Sequence, residues 1–306
     1  MKYSLIDTHC DTASAALDLG MGFFENGLHI DLAKLEGKRY TQFFAAFIDP
    51  EYRLSAKKRA DAIIEKVKSE AAKSGGKIAV CKSFADYEKN ADKICAFLSL
   101  EGGEAIQTLA DLSDLYGQGV RMATLTWNFS NHLAGGVSEQ ETGLSDFGAK
   151  VIAEMNKIGM ILDVSHLNDK SFYDAAEVCK KPFIASHSSS RSICKNMRNL
   201  TDDQFLRIKE SGGRVGINLY PKFLSEKGSA GISDIIKHIE HFLSLGGEDT
   251  IGIGADFDGV ECLPCKIMGV CDMDRLFDEM LRLGYKEELV NKISYTNMER
   301  FLQENL

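Results

Sequence analysis

The chain has 306 residues, 44% of them hydrophobic and 26% charged, with four prolines; this fits a folded protein with a sizeable core and leaves no room for a Pro-rich linker. We read residues 1–306 as one domain. A net charge of -9 argues against nucleic acid as partner, because phosphate binding needs a basic face that releases counterions. An acidic residue, Asp7, precedes any apolar run long enough for a signal peptide, and no later run approaches the ~18 residues of a membrane span, so the expectation is a cytoplasmic protein with no membrane partner.

In chain order, short β-branched or aromatic runs alternate with stretches of helical period, the pattern of βα units around a parallel sheet. The expected strands are residues 3–8, 42–48, 95–100, 120–125, 160–165, 183–186, 214–219 and 250–255. Helices are expected over 55–73 and 146–157, the latter stopped by Gly159, with Asn168 and Thr201 as N-caps. Thr201 and Gln204 have capping-box spacing, the long second crossover has a short helix near 83–89, and helices over 272–283 and through Phe301 complete the ring. Eight such units give an α/β fold of the (β/α)8 TIM-barrel class. The eight cysteines are irregularly spaced and read as reduced and mostly buried; Cys262, Cys265 and Cys271 lack the second pair that a structural zinc site needs.

Chemistry in such barrels sits at the C-terminal ends of the strands, and polar residues collect there. The first strand runs into Asp7, His9 and Asp11, which period-two geometry sends to one side, so His9 and Asp11 can chelate one ion. The third ends at Glu101, whose two oxygens can bridge two ions, and the fifth and sixth end at His166 and His187, one imidazole each for a second ion. The eighth carries Gly252 and Gly254 below Asp256, which leaves the interior roomy under that carboxylate. A single strand-end His is more often a core or capping residue, and Asp before Gly more often a turn. Five ligand-type residues at the same end of four strands are hard to obtain that way, because a dry barrel mouth penalises them without a metal. His29, His238 and His241 fall in helices or crossovers and read as surface or packing residues.

These residues carry a resemblance to the renal or membrane dipeptidase family of the amidohydrolase superfamily. It spans Asp7, His9 and Asp11, the Glu-Gly-Gly of 101–103, the Asp-Val-Ser-His of 163–166, the Ser-His-Ser of 186–188, the Arg-Asn-x-x-Asp-Asp of 198–203 and the Asp-Phe-Asp-Gly of 256–259. The resemblance implies two zinc ions per chain, one held by His9 and Asp11, the other by His166 and His187, with Glu101 bridging. It implies Asp256 as acid and base, and Arg198, a planar donor fork, as the group holding the C-terminal carboxylate of a small dipeptide substrate. It also suggests a homodimer. One departure stands out: where mammalian members place a histidine after Leu-Thr, this chain has Trp127 after Leu125 and Thr126, and an indole cannot take a proton. His132 is the nearest candidate to fill that space. The rival readings are a related metal hydrolase of cyclic amides, lactones or phosphoesters, and a barrel that binds metal without catalysis. Against the first, the fourth strand has no lysine to serve as a carboxylated bridge.

Overall fold

The computed structural model describes residues 2–35 and 37–306. Its strands are β1 (Leu5–Cys10), β2 (Tyr40–Phe47), β3 (Ile78–Val80), β4 (Ile94–Glu101), β5 (Val120–Thr124), β6 (Ile161–Asp163), β7 (Val215–Ile217) and β8 (Ile251–Ile253). They pair in parallel in the order β6-β5-β4-β2-β1-β8-β7. The remaining stave is segment 183–186, which is too short in regular bonding to be a strand but bridges both edges: Ile184 pairs with Asp163, and Ala185 with Val215. With it the curled sheet takes the TIM-type form.

β3 was not anticipated. It lies off the barrel path and pairs Ile78–Val80 with the first half of β4, while β5 pairs with the second half. A three-residue strand in a long crossover has too little alternation to register as one. The expected helices form close to their predicted ends: Ala56–Lys73, Phe84–Lys89, Asp146–Ile158, Met273–Arg282 and Asn297–Asn305. Gly159 ends its helix at φ 81, Asn168 Oδ1 accepts from Ser171 N–H, and Thr201 and Gln204 make the capping box.

The alternation of side chains divides the core into two layers. Ile6, Phe43, Phe97, Met122, Ile161 and Ile184 point into the barrel, where Phe43 and Phe97 stack at 5.0 Å. Met298, Phe301 and Leu302 of the last helix join them and plug the end at which the strands begin. The opposite residues, such as Leu5, Phe44, Leu98 and Leu162, pack against the outer helices. On β4 the alternation runs unbroken, so Glu101 shares the inner face with Cys95 and Phe97.

On β1 the alternation breaks. Ile6 points inward, so a regular strand would carry Cys10 inward and His9 outward; instead Cys10 packs in the outer layer. The register with β2 slips by one residue between Asp7 and Cys10, a β-bulge that inverts the faces and turns His9 toward the mouth. The expectation that Asp7, His9 and Asp11 share a side by simple alternation is therefore corrected. Asp7 instead accepts from the N–H groups of His9 (3.1 Å) and Ala255 (3.0 Å), tying β1 to the end of β8.

Candidate metal centre and active site

His9, Asp11, Glu101, His166, His187 and Asp256 meet at the mouth of the barrel, all buried. The bulge delivers His9, Asp11 follows at the N-cap of the helix Thr12–Asp18, and the two main chains that end β1 and β8 are stitched together by Asp11 N–H to Phe257 O (2.8 Å) and Asp256 N–H to His9 O (3.2 Å). His9 Nε2 thus lies 3.4 Å from Asp11 Oδ2, 3.3 Å from Glu101 Oε2 and 3.9 Å from Asp256 Oδ1. On the other side of Glu101, Oε1 is 2.7 Å from His166 Nε2 and 3.6 Å from His187 Nε2, and those two nitrogens are 2.9 Å apart.

The chemistry of this cluster fits metal. His9 Nε2 and Asp11 Oδ1 are buried without a hydrogen-bond partner, an arrangement that costs about 1–3 kcal/mol per group if nothing satisfies it. Between His166, His187 and Glu101 Oε1 three acceptor atoms face one another, and a single proton cannot serve all three, whereas a cation can. Two groups of side chains could each hold an ion: His9, Glu101 and His187, and His9, Asp11 and Asp256.

The ring nitrogens turned away from the centre are anchored, which presents Nε2 as the ligating atom. His187 Nδ1 donates to Ser186 Oγ at 2.6 Å, and that hydroxyl in turn donates to Asp163. Asp163 also accepts from Ser165 N–H (3.0 Å) and Ser186 N–H (2.9 Å). His166 Nδ1 faces Asn128 Oδ1 at 2.9 Å and Arg198 Nε at 3.1 Å. One nitrogen cannot both donate to the amide and accept from the guanidinium; ligation through Nε2 would select donation to Asn128. Burial, reinforced by the Arg198 charge, lowers His166 to about 3 and holds His187 well below the usual imidazole range, so both lone pairs are free at neutral pH.

The acidic groups respond in opposite senses. Burial and then the Glu101 charge raise Asp11 to about 7. Burial also raises Asp256, whose Oδ2 accepts from Asn218 Nδ2 at 2.9 Å. Burial pushes Glu101 the same way, but the surrounding histidines, His9 most of all, oppose it and hold it well below the carboxylate range. The backbone is strained at the same place: His166, Asp256 and Asp258 have φ of 70, 63 and 65. Such conformations cost of order 1–3 kcal/mol each and persist where the surroundings over-determine them.

Two glycines serve close approach. A Cβ on Gly259 would lie 2.3 Å from both Asp11 Oδ2 and Asp256 Oδ1. A Cβ on Gly254 would lie 1.8 Å from Ser186 O, so that glycine lets the sixth stave pack against β8. The expected room beneath Asp256 is confined to Gly252, where nothing lies within 4 Å.

The centre opens into a cavity of about 760 Å³. Arg198 is buried in its wall, donating to Ser188 Oγ (3.1 Å) and His187 O (3.3 Å) and lying over Phe223 at 5.7 Å. Trp127 lines the cavity 6.3 Å from His166, against Phe47 at 5.3 Å. His132 does not fill the missing imidazole's space. Its Nε2 bonds Ile106 O at 2.7 Å, its ring stacks on Phe147, and it is absent from the cavity wall.

Of the other histidines, His238 is wholly buried in the core, His241 pairs with Asp202 at 2.7 Å, and His29 clasps Asp258. His29 N–H donates to Asp258 Oδ1 (2.8 Å), and Asp258 N–H donates to His29 Nδ1 (2.9 Å). The cysteines are free. Cys10, Cys81, Cys95 and Cys194 are buried, but Cys262, Cys265 and Cys271 are exposed, contrary to a mostly buried set. Cys262 and Cys265 lie on a surface loop and Cys271 in the short helical turn Val270–Asp272, where its thiol donates to Lys34 O; the three form no metal-competent group among the described residues.

Asn128, the Asp163–Ser186 pair and Asn218 are supporting residues that the sequence reading did not assign. Asp163 and Ser186 stood inside motifs that were read for their histidines alone. Asn218 is a polar residue within the expected apolar strand 214–219, and that break in the run is the signal that marks it.

No described helix is long and apolar enough to cross a membrane. A family model for membrane dipeptidases, peptidase family M19, matches residues 1–305. An uncharacterized dipeptidase of Schizosaccharomyces pombe is 34% identical over 289 residues, covering 84% of this chain and 69% of that one. Among solved structures, dipeptidase AC, a metallopeptidase of family M19, superposes with a TM-score of 0.93 at 28% identity over 100% of this chain and 99% of its own. A metallopeptidase from Rhodobacter sphaeroides, liganded with a phosphinate mimic of the dipeptide L-Ala-D-Ala, gives a TM-score of 0.92 at 27% identity over 99% of both chains. The barrel, the metal-competent mouth and these matches lead to one conclusion: the chain belongs to the membrane dipeptidase family M19, metal-dependent hydrolases acting on peptide bonds.

Proposed function

We propose that the chain is one catalytic domain that binds two zinc ions and hydrolyses dipeptides with a free C-terminal carboxylate in the cytoplasm. His9 and Asp11 hold one ion, His166 and His187 the other, and Glu101 spans both. The observation that carries this reading is the pair of unsatisfied buried atoms, His9 Nε2 and Asp11 Oδ1, beside three mutually crowded acceptor atoms, His166 Nε2, His187 Nε2 and Glu101 Oε1. Bound in this centre, the metals acidify water and polarise a carbonyl.

The protein's own groups do the rest. Asp256 is close enough to the centre to take the proton of the attacking water and pass it to the departing amine nitrogen, a role worth ~10² to 10⁴-fold. Asn218 holds its far oxygen, leaving Oδ1 turned toward His9. Arg198, already buried and facing the cavity, offers a guanidinium to the substrate's carboxylate and orients the scissile bond.

The test is hydrolysis of L,L and L,D dipeptides by purified protein before metal removal, after it, and after zinc restoration. Cleavage that disappears and returns supports the reading. Absence of cleavage with zinc bound would redirect the same centre to cyclic amides or esters. Arg198→Ala should lower kcat/KM for free acids by about 10²-fold and for C-terminal amides far less. Equal losses on both would remove Arg198 from carboxylate recognition.

A further inference from the structure

Trp127 is the only tryptophan of the chain, and it is neither fully buried nor at the surface. Its ring packs edge-on to Phe47 at 5.3 Å and to Phe129 at 5.8 Å, and both Trp127 and Phe47 line the cavity. Phe47 is the one residue of β2 that is not buried, and it pairs in register with Glu101. An aromatic wall therefore faces the aqueous cavity beside the metal centre, and leaving that surface wet is unfavourable until a ligand covers it.

Topology says which part of a dipeptide meets this wall. Counting staves around the barrel from β1, β2 is second, β5 fourth and segment 183–186 sixth of eight. Arg198 follows the sixth stave, so it stands across the mouth from Phe47, and Trp127, after the fourth, lies between them and continues the wall from Phe47 toward His166. The charges agree: Asp49, which follows β2, lines the cavity on the Phe47 side, suited to an ammonium group, while Arg198 lies opposite; Asp18, also on that side, is already paired with Arg59 at 2.6 Å. We infer that Trp127 and Phe47 form the subsite for an apolar side chain on the N-terminal residue of the substrate, an inference that rests on Arg198 holding the C-terminal carboxylate. Trp127 then determines specificity and transfers no proton, since its indole N–H has no acid–base role near neutral pH.

The experiment compares zinc-loaded wild type with Trp127→Ala and Trp127→Phe on two series, X-Ala and Ala-X, with X as Gly, Ala, Leu or Phe. In wild type kcat/KM should rise at least about tenfold from Gly-Ala to Leu-Ala, the range that a few buried methylenes supply, with a flatter Ala-X series. Trp127→Ala should reduce the Leu-Ala to Gly-Ala ratio by about tenfold with zinc content unchanged, and Trp127→Phe should restore most of it. An unchanged ratio, a uniform loss across X, or a slope in Ala-X alone would overturn the subsite. The carboxylate reading fails separately, on the comparison of acids with amides for Arg198→Ala. Should no dipeptide be cleaved, calorimetric titration with phosphinate mimics bearing Gly or Leu at the N-terminal position still decides: a Leu preference lost in Trp127→Ala supports the wall, and equal affinities contradict it.

Discussion

The two ends of the barrel are built from the same staves and solve opposite problems. Where the strands begin, Ile6, Phe43, Phe97, Met122, Ile161 and Ile184 close on Phe301 and Leu302 of the last helix, an apolar plug whose side chains need only volume. Where the strands end, the inward positions carry His9, Glu101, His166 and Asp256, with partnerless buried atoms, left-handed backbone and carboxylates whose protonation burial disturbs. One end is organised for stability and the other carries polar groups that only a bound ion reconciles. The contrast predicts that substitutions at the plug move stability and leave chemistry alone, whereas substitutions at the mouth do the reverse.

The largest separation is expected from Asp256→Asn, which should retain zinc and lose ~10² to 10⁴-fold in kcat. Full turnover in that variant would take Asp256 out of the reaction. Phe301→Ala should destabilise by about 3–5 kcal/mol in urea unfolding while the folded fraction keeps wild-type KM. A raised KM there would mean that the two ends are coupled.

A smaller effect is expected away from both ends, on the helix Ile232–Ser244, at His238. Its Nδ1 accepts from Ser190 N–H (2.9 Å), its Nε2–H donates to Leu224 O (3.0 Å), and burial lowers it to about 4. The unfolded chain takes up a proton below the ordinary pKa of about 6.5, which the folded protein refuses until about 4. The contribution is therefore present above pH 6.5 and is lost as pH falls from there to about 4, by about 3 kcal/mol in all. Urea titrations of wild type and His238→Gln across that window should differ in slope; parallel curves would contradict the assignment. His132→Ala, outside the cavity, should change kcat/KM by less than about twofold.

Much of this division was legible in the sequence. Apolar runs at βα spacing gave the barrel, and carboxylate or imidazole residues at strand ends marked the mouth. What escaped was whatever depends on local bonding between staves. Segment 183–186 makes single bridges to each neighbour, which composition cannot distinguish from a strand. The bulge between Asp7 and Cys10 inverts the face of His9, and nothing in the residue types announces a slipped register. His132 stands five positions beyond Trp127, yet its ring turns to Ile106 and Phe147; proximity in sequence carries no information about that rotation. Gly254 read as open space, and only the packing shows Ser186 O pressed against it.

The central claim is that Glu101 joins two ions, and metal content after exhaustive dialysis tests it most directly. We expect two zinc ions per chain in wild type, and one or none in Glu101→Gln, with the fold intact by circular dichroism. A single ion in wild type, or two retained in Glu101→Gln, would contradict the account.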